Sequence, residues 1–283
     1  MNNSESGMLR FLYGTAVGRA LLRPLASRTL SKLCGNFLSS RLSTPLIRPF
    51  VRKNGIDLND YHSDSFRSFN DCFVRKIKEE LRPIEMEPDA LVSPCDGLLS
   101  AYRVKEGTVF PIKQSRYTVD SLLGGDRIAE RFHDGICLVF RLCVDNYHRY
   151  AYFDSGRKGE NFFIPGKLHT VRPIALEREP VFTENCREYT VIESENFGVA
   201  VQIEVGAMLV GRILNHHGSG TVRRGEEKGM FLYGGSTVVL LLESGRAEIP
   251  ETLFEATERG EETPVKMGER IGVRSTAKAA LEI

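Results

Sequence analysis

Gly234-Gly235-Ser236-Thr237 stands directly before the apolar run Val238-Val239-Leu240-Leu241-Leu242. A strand needs neither glycine. A peptide bond attacked by the side chain that follows it needs both an unhindered carbonyl and permissive backbone angles. Gly235 offers that carbonyl and Ser236 the hydroxyl. A hairpin turn entering a buried strand accounts for the same residues without chemistry. Two other polar segments in apolar surroundings favour the chemical reading. Leu91-Val92-Ser93-Pro94-Cys95-Asp96-Gly97-Leu98-Leu99 holds a single carboxylate in a Pro/Gly turn after a strand-like start. Ile136 to Val144 is β-prone and runs into Asp145-Asn146-Tyr147-His148-Arg149-Tyr150. Together they allow an acid, Asp96, that orients a base, His148, that activates a hydroxyl, Ser236.

These segments, in this order, resemble the phosphatidylserine decarboxylase proenzymes, a family that cuts its own chain to make a pyruvoyl group. The resemblance runs nearly the full length. Phe69-Asn70 with Phe73, Arg75 and Lys76, then Arg82-Pro83-Ile84, lead to a Ser-Pro-x-Asp-Gly segment, here Ser93 to Gly97. Asp145 to Tyr150 is similar to the family's Tyr-His-Arg segment. Leu168-His169-Thr170-Val171 and Val205 to Gly211 follow in order. Gly235-Ser236-Thr237 matches the end of the self-cleavage motif, with Gly234 where many members have Leu. Many members also carry a second histidine at the position occupied here by Ala151. Either His148 performs both tasks or another residue is recruited, with His169 the nearest candidate.

The resemblance implies a sequence of events. The Ser236 hydroxyl, its proton drawn toward His148 and that imidazole held by Asp96, attacks the Gly235 carbonyl and turns the amide into an ester. Elimination across Cα and Cβ of Ser236 frees Gly235 as a new C-terminus, and the remaining dehydroalanine becomes a pyruvoyl group with loss of ammonia. Met1 to Gly235 form the large chain and the residues from Ser236 onward the small one. The expected assembly is a heterodimer of these two chains, itself dimerised. A ketone so placed condenses with a primary amine and takes up the electrons left when a neighbouring carboxylate departs as carbon dioxide. The implied reaction converts phosphatidylserine to phosphatidylethanolamine. His148, with His169 second, suits the return of a proton, since an ordinary histidine titrates near pH ~6.5.

The elements that must position these residues fall into two regions. From Ser6 to Ile56 there is no acidic residue, while Arg10, Arg19, Arg23, Arg28, Lys32, Arg41, Arg48, Arg52 and Lys53 are basic. Leu30, Leu33, Cys34, Phe37 and Leu38 fall on one helical stripe. The arginines recur too often for a membrane-spanning helix, and Pro24, Pro45 and Pro49 divide the region into short pieces. Residues 1–60 therefore read as basic amphipathic helices lying on an anionic membrane surface, peripheral and on the cytoplasmic face. Helices docked on the protein's own core, or an Arg-rich transit peptide, are the other readings.

After Arg82-Pro83, short β-branched or aromatic runs alternate with Gly, Pro, Asn and Asp: Leu98 to Val104, Ile136 to Val144, Arg187 to Ile192, Val199 to Val205, Met208 to Ile213 and Met230 to Leu242. Ser115 to Phe132 reads as a helical interruption, and Glu251 to Ile283 as a helix-and-strand cap. The expected fold is α+β, with a β-rich catalytic domain over residues 61–283. The formal net charge of +1 gives no reason to propose nucleic acid. Cys34, Cys72, Cys95, Cys137, Cys143 and Cys186 show no Cys-x-x-Cys pair and read as free thiols in a reducing compartment. His216-His217 lie in a Gly/Ser loop without further ligands at metal spacing, and His62 and His133 read as surface residues, so no metal is expected. Two other functions stay open: a non-catalytic membrane-bound β-module, and a pyruvoyl decarboxylase of a soluble amino acid.

Overall fold

The structure, a computed structural model, describes residues 11, 15, 17–18, 28–105, 110–112, 115–166, 185–206, 213–232 and 236–276. The helical N-terminal region contains α1 (Arg28–Leu38), a 3-10 turn (Arg41–Leu46), α2 (Ile47–Asn54) and α3 (Phe69–Phe73). Strands β1 (Ala90–Val92), β2 (Gly97–Arg103), β3 (Phe110–Ile112) and β4 (Ser115–Tyr117) precede the short helix α4 (Val119–Leu122) and a second 3-10 turn (Arg127–Phe132). Then come β5 (Ile136–Leu142), β6 (Arg149–Ala151), β7 (Gly156–Ile164), β8 (Arg187–Ser194) and β9 (Gly198–Val205). β10 (Ile213–Asn215), β11 (Gly220–Val222), β12 (Glu227–Phe231), β13 (Ser236–Leu242) and β14 (Ala247–Glu248) follow, and α5 (Glu251–Glu258), β15 (Thr263–Val265) and β16 (Arg270–Arg274) close the fold.

The α+β, β-rich architecture expected from the punctuation is present. Eight strands form one antiparallel sheet in the order β11-β7-β8-β9-β13-β5-β2-β15. β13 lies inside it, paired with β5 on one side and β9 on the other. All of its residues are buried, which is why Val238 to Leu242 show no polar alternation: both faces of the strand are covered. One cover is the smaller sheet β10-β12-β6, and another is the sheet β1-β16-β14. β7, near the sheet's edge, keeps the alternation of buried and exposed positions that a half-covered strand requires.

Two expected elements differ. Ser115 to Phe132 is not one helix. α4 is started by a Thr118–Ser121 capping box but ends within a turn, because Gly124 and Gly125 adopt φ of +69° and +83°, outside the helical region. Met230 to Leu242 divides into β12 and β13, since β12 joins the small sheet and β13 the large one. Of Met208 to Ile213, residues 208–212 lie outside the described set, and Ile213 opens β10.

The N-terminal stripe is also divided. Leu38 enters a small core with Phe69 and Phe73, joined by Ile47, Phe50 and Val74. Leu33 and Phe37 face outward, with Leu42 and Leu46 exposed beside them. The side chain of Leu30 is outside the described set. Pro45 is accommodated in the 3-10 turn and Pro49 in the first turn of α2, where its missing N–H costs no helical bond. Among the described residues no helix is long and apolar enough to cross a membrane.

Between the sheets lies a fully buried ion pair, Lys228 Nζ to Glu204 Oε2 at 2.6 Å, with Asn215 bonded to both. Burial pushes Glu204 up and pulls Lys228 down, and their mutual contact opposes both shifts. Removing one partner strands the other charge. We expect Lys228→Met alone to cost about 3–5 kcal/mol in denaturant unfolding, and Glu204→Leu with Lys228→Met to recover most of that loss.

Candidate active site

Three chain segments converge at one end of the large sheet. Ser236, the first residue of β13, is registered with Leu142, the last residue of β5. Leu98 is registered with Arg141, so the same row continues to Gly97 on β2 and from there to Val265 on β15. Gly97 is required by this packing: a Cβ there would meet the Arg141 carbonyl oxygen at 3.0 Å. Asp96 is the residue just before this row. Beyond it, residues 143–148 leave β5 for β6, and residues 232–235 join β12 to β13. The two connections rejoin where the Phe231 amide donates to the His148 carbonyl at 2.9 Å and Arg149 pairs with Met230. Ser236 and His148 thus bracket a gap in an otherwise paired ribbon.

Ser236 is completely buried, and among the described residues its Oγ has no hydrogen-bond partner; the same holds for Thr237 Oγ1. A buried hydroxyl without a partner is costly, and such groups mark sites of function. Gly235, the expected donor of the carbonyl, and His169, the possible second histidine, lie outside the described residues.

His148 is fully buried. Its Nδ1 is 2.9 Å from the Asn146 carbonyl oxygen. A carbonyl only accepts, so Nδ1 carries the proton and the neutral ring has its basic lone pair on Nε2. The carbonyl is fixed by a tight turn: Cys143 N–H donates to Asn146 Oδ1 at 2.7 Å and Asn146 N–H to the Cys143 carbonyl at 2.9 Å. The segment after α3 supports this loop from outside. The Phe73 ring lies 4.1 Å from the imidazole, centre to centre. Arg75 donates to the Asp145 carbonyl, and Arg149 to the Val74 carbonyl.

Asp96 is buried, but its carboxylate does not hold the imidazole as expected from the sequence. Arg82 takes it in a fork, Nε to Oδ1 at 2.7 Å and Nη2 to Oδ2 at 2.5 Å, and the Met267 amide donates to Oδ1 at 2.9 Å. The planar guanidinium matches a carboxylate better than one ring N–H can, while the Asn146 turn already claims Nδ1. Ala151 is buried in β6, its amide bonded to the Pro94 carbonyl, so the segments bearing Asp96 and His148 are tied directly.

Arg82, Asn146 and Phe73 are the site residues that spacing did not reveal. His216 and His217 belong elsewhere: His216 Nε2 contacts Glu227 at 2.7 Å and His217 contacts Tyr152. Cys72, Cys95, Cys137 and Cys186 are buried free thiols, and Cys34 and Cys143 are half-buried. Burial pushes the Cys137 thiol up to about 12. Among the described residues no cluster of three or more His, Cys, Asp or Glu could hold a metal.

Fold and site define a β-rich enzyme-like domain whose polar centre is assembled where an internal strand begins. Residues 69–273 match the family described as phosphatidylserine decarboxylase. The chain is 42% identical over 269 residues to a phosphatidylserine decarboxylase proenzyme 2 of Clostridium acetobutylicum, covering 95% of this chain and 92% of the relative. It is 38% identical over 270 residues to a phosphatidylserine decarboxylase proenzyme of Clostridium perfringens, covering 93% and 92%. A Clostridium botulinum proenzyme is 38% identical over 272 residues, covering 94% and 92%. The chain belongs to the phosphatidylserine decarboxylase family.

Tyr147, beside the imidazole, is pushed up to about 12 by burial. Its folded value lies above the unfolded one, so the unfolded chain loses this proton first as pH rises. Stability should therefore fall between pH about 10 and about 12, by about 2 kcal/mol from this residue alone. Denaturation curves across that range should decline less steeply for Tyr147→Phe.

Proposed function

We propose that this chain decarboxylates phosphatidylserine to phosphatidylethanolamine after cutting itself between Gly235 and Ser236. The observation that carries the reading is the buried Ser236 hydroxyl without a partner, at the head of an internal strand and immediately after two glycines, in a chain of this family. Such a hydroxyl has no role in holding the sheet. It fits the origin of a pyruvoyl group, which must be generated in place and kept from water.

In this reading Ser236 Oγ attacks the Gly235 carbonyl, losing its proton to a base. His148 is first choice for that base, because its neutral tautomer leaves Nε2 to accept, and His169 is second. Asp96 places a negative charge beside the row that ends in Ser236, favouring the cation formed when the base takes the proton. Gly235 becomes the end of a large chain and residue 236 the start of a small one, and the two stay joined because β13 pairs with β5 and β9 of the large chain. The pyruvoyl group supplies an electron sink for the carboxylate lost from an amine substrate. The heterodimer so formed pairs with a second copy.

Residues 1–60 form the membrane-facing unit and 61–283 the catalytic body. The membrane assignment is supported by exposed Leu33, Phe37, Leu42 and Leu46 beside Arg41, Arg48, Arg52 and Lys53. The apolar groups would enter the headgroup layer and the basic ones would meet anionic lipid, giving a peripheral attachment at the cytoplasmic face of the cell membrane.

Intact mass under denaturing conditions tests the cleavage. Two fragments split at 235/236, the smaller with a pyruvoyl N-terminus and both absent in Ser236→Ala, are expected. One full-length mass for both proteins, with no carbon dioxide from phosphatidylserine vesicles, overturns the reading. Separately, Leu33→Asp with Phe37→Asp should reduce binding to anionic vesicles about tenfold or more in cosedimentation. Turnover of a dispersed short-chain substrate should be retained.

A further inference from the structure

We propose that Arg82 is a positioning residue for self-cleavage, holding the Asp96 carboxylate at the end of the strand row that contains Ser236. This rests on the reading of Asp96 as part of the cleavage machinery. Arg82 follows a 3-10 turn, Glu79–Leu81, and is fixed on its other side by Pro83. Its guanidinium is fully committed: Nε and Nη2 to Asp96, and Nη1 to the Leu81 carbonyl at 2.7 Å. It therefore has no face left for a substrate carboxylate or phosphate, which separates positioning from substrate binding.

The carboxylate is equally constrained. Of roughly four acceptor positions on an ionised carboxyl group, Arg82 and the Met267 amide fill three. Both side chains are largely buried, 15% and 7% exposed, so the pair is shielded from water and keeps one geometry. The Met267 amide belongs to the turn between β15 and β16, and β15 is the next strand beyond β2 in the same row as Ser236. Arg82 and that turn therefore grip Asp96 from two sides, and the one remaining acceptor position is the part of the group free to act on the cleavage site. A lysine could supply the charge but not the fork.

A double-mutant cycle on cleavage rate tests this, with precursor synthesised in a cell-free pulse and the fragments followed by mass. Asp96→Asn is expected to cleave about 100-fold more slowly than the natural sequence. Arg82→Met should be about tenfold slower or more, and the double variant no slower than Asp96→Asn alone. Arg82→Lys should fall between Arg82→Met and the natural sequence, and added guanidinium should speed Arg82→Met. If thermal melting shows that Arg82→Met does not fold, Arg82→Lys and its combination with Asp96→Asn carry the same cycle. Cleavage of Arg82→Met within about twofold of the natural rate overturns the proposal, as does an equal slowing by Arg82→Met in the Asp96→Asn background. Failure of the natural sequence to cleave removes the underlying reading and this proposal with it; normal natural cleavage with an additive cycle removes this proposal alone.

Discussion

The structure depends on a strand that is buried on both faces and yet begins with a hydroxyl. β13 can sit between β5 and β9 only if its side chains are apolar and its backbone bonds are met on both edges, and Val238 to Leu242 satisfy both demands. Ser236 and Thr237 do not belong in such a strand on packing grounds. Their hydroxyls lie where neither water nor a described side chain meets them. Every other polar feature of the site is arranged around that exception: the Gly97 row brings Asp96 to the same end of the sheet, and the gap between β5 and β6 brings His148 opposite.

Much of this was legible in the chain. The apolar runs marked β5, β9 and β13, and each candidate site residue stood at the end of such a run. Strand ends come together when strands pair antiparallel, so three separate polar termini could be read as one site without knowing the strand order. The strand order itself was not legible. β13 is flanked by strands that precede it by many residues, and nothing in local periodicity specifies which of several similar apolar runs will be its neighbours.

The partners of the site residues were also beyond sequence reading, for two different reasons. Asp96 with Arg82 is a contact between a loop and a turn, and any of the chain's 38 lysines and arginines could have supplied the cation. His148 with Asn146 is local, but its direction depends on the Cys143 turn closing through the Asn146 side chain. An Asp-Asn pair before a histidine indicates a turn without telling which ring nitrogen it will claim. Sequence pattern therefore gave the actors and missed which hydrogen bond each would make, as expected when an imidazole and a guanidinium compete for the same acceptors.

The helical N-terminal region bears on this competition. Leu38, Ile47 and Phe50 share a small core with Phe69 and Phe73, and the Phe50 and Phe69 rings meet edge to face at 4.9 Å. Phe73 is the far end of that core and also the wall against which the imidazole rests. The Ser43 hydroxyl accepts the Phe69 amide, and Asn70 donates to Ser39, so the start of α3 is fixed by residues of the preceding helical segment. A helical unit that only anchored the protein to a surface could be joined by a flexible linker. Here its packing extends without interruption to the ring of His148, so the orientation of the imidazole is set as much by residues before position 74 as by the strands that carry it.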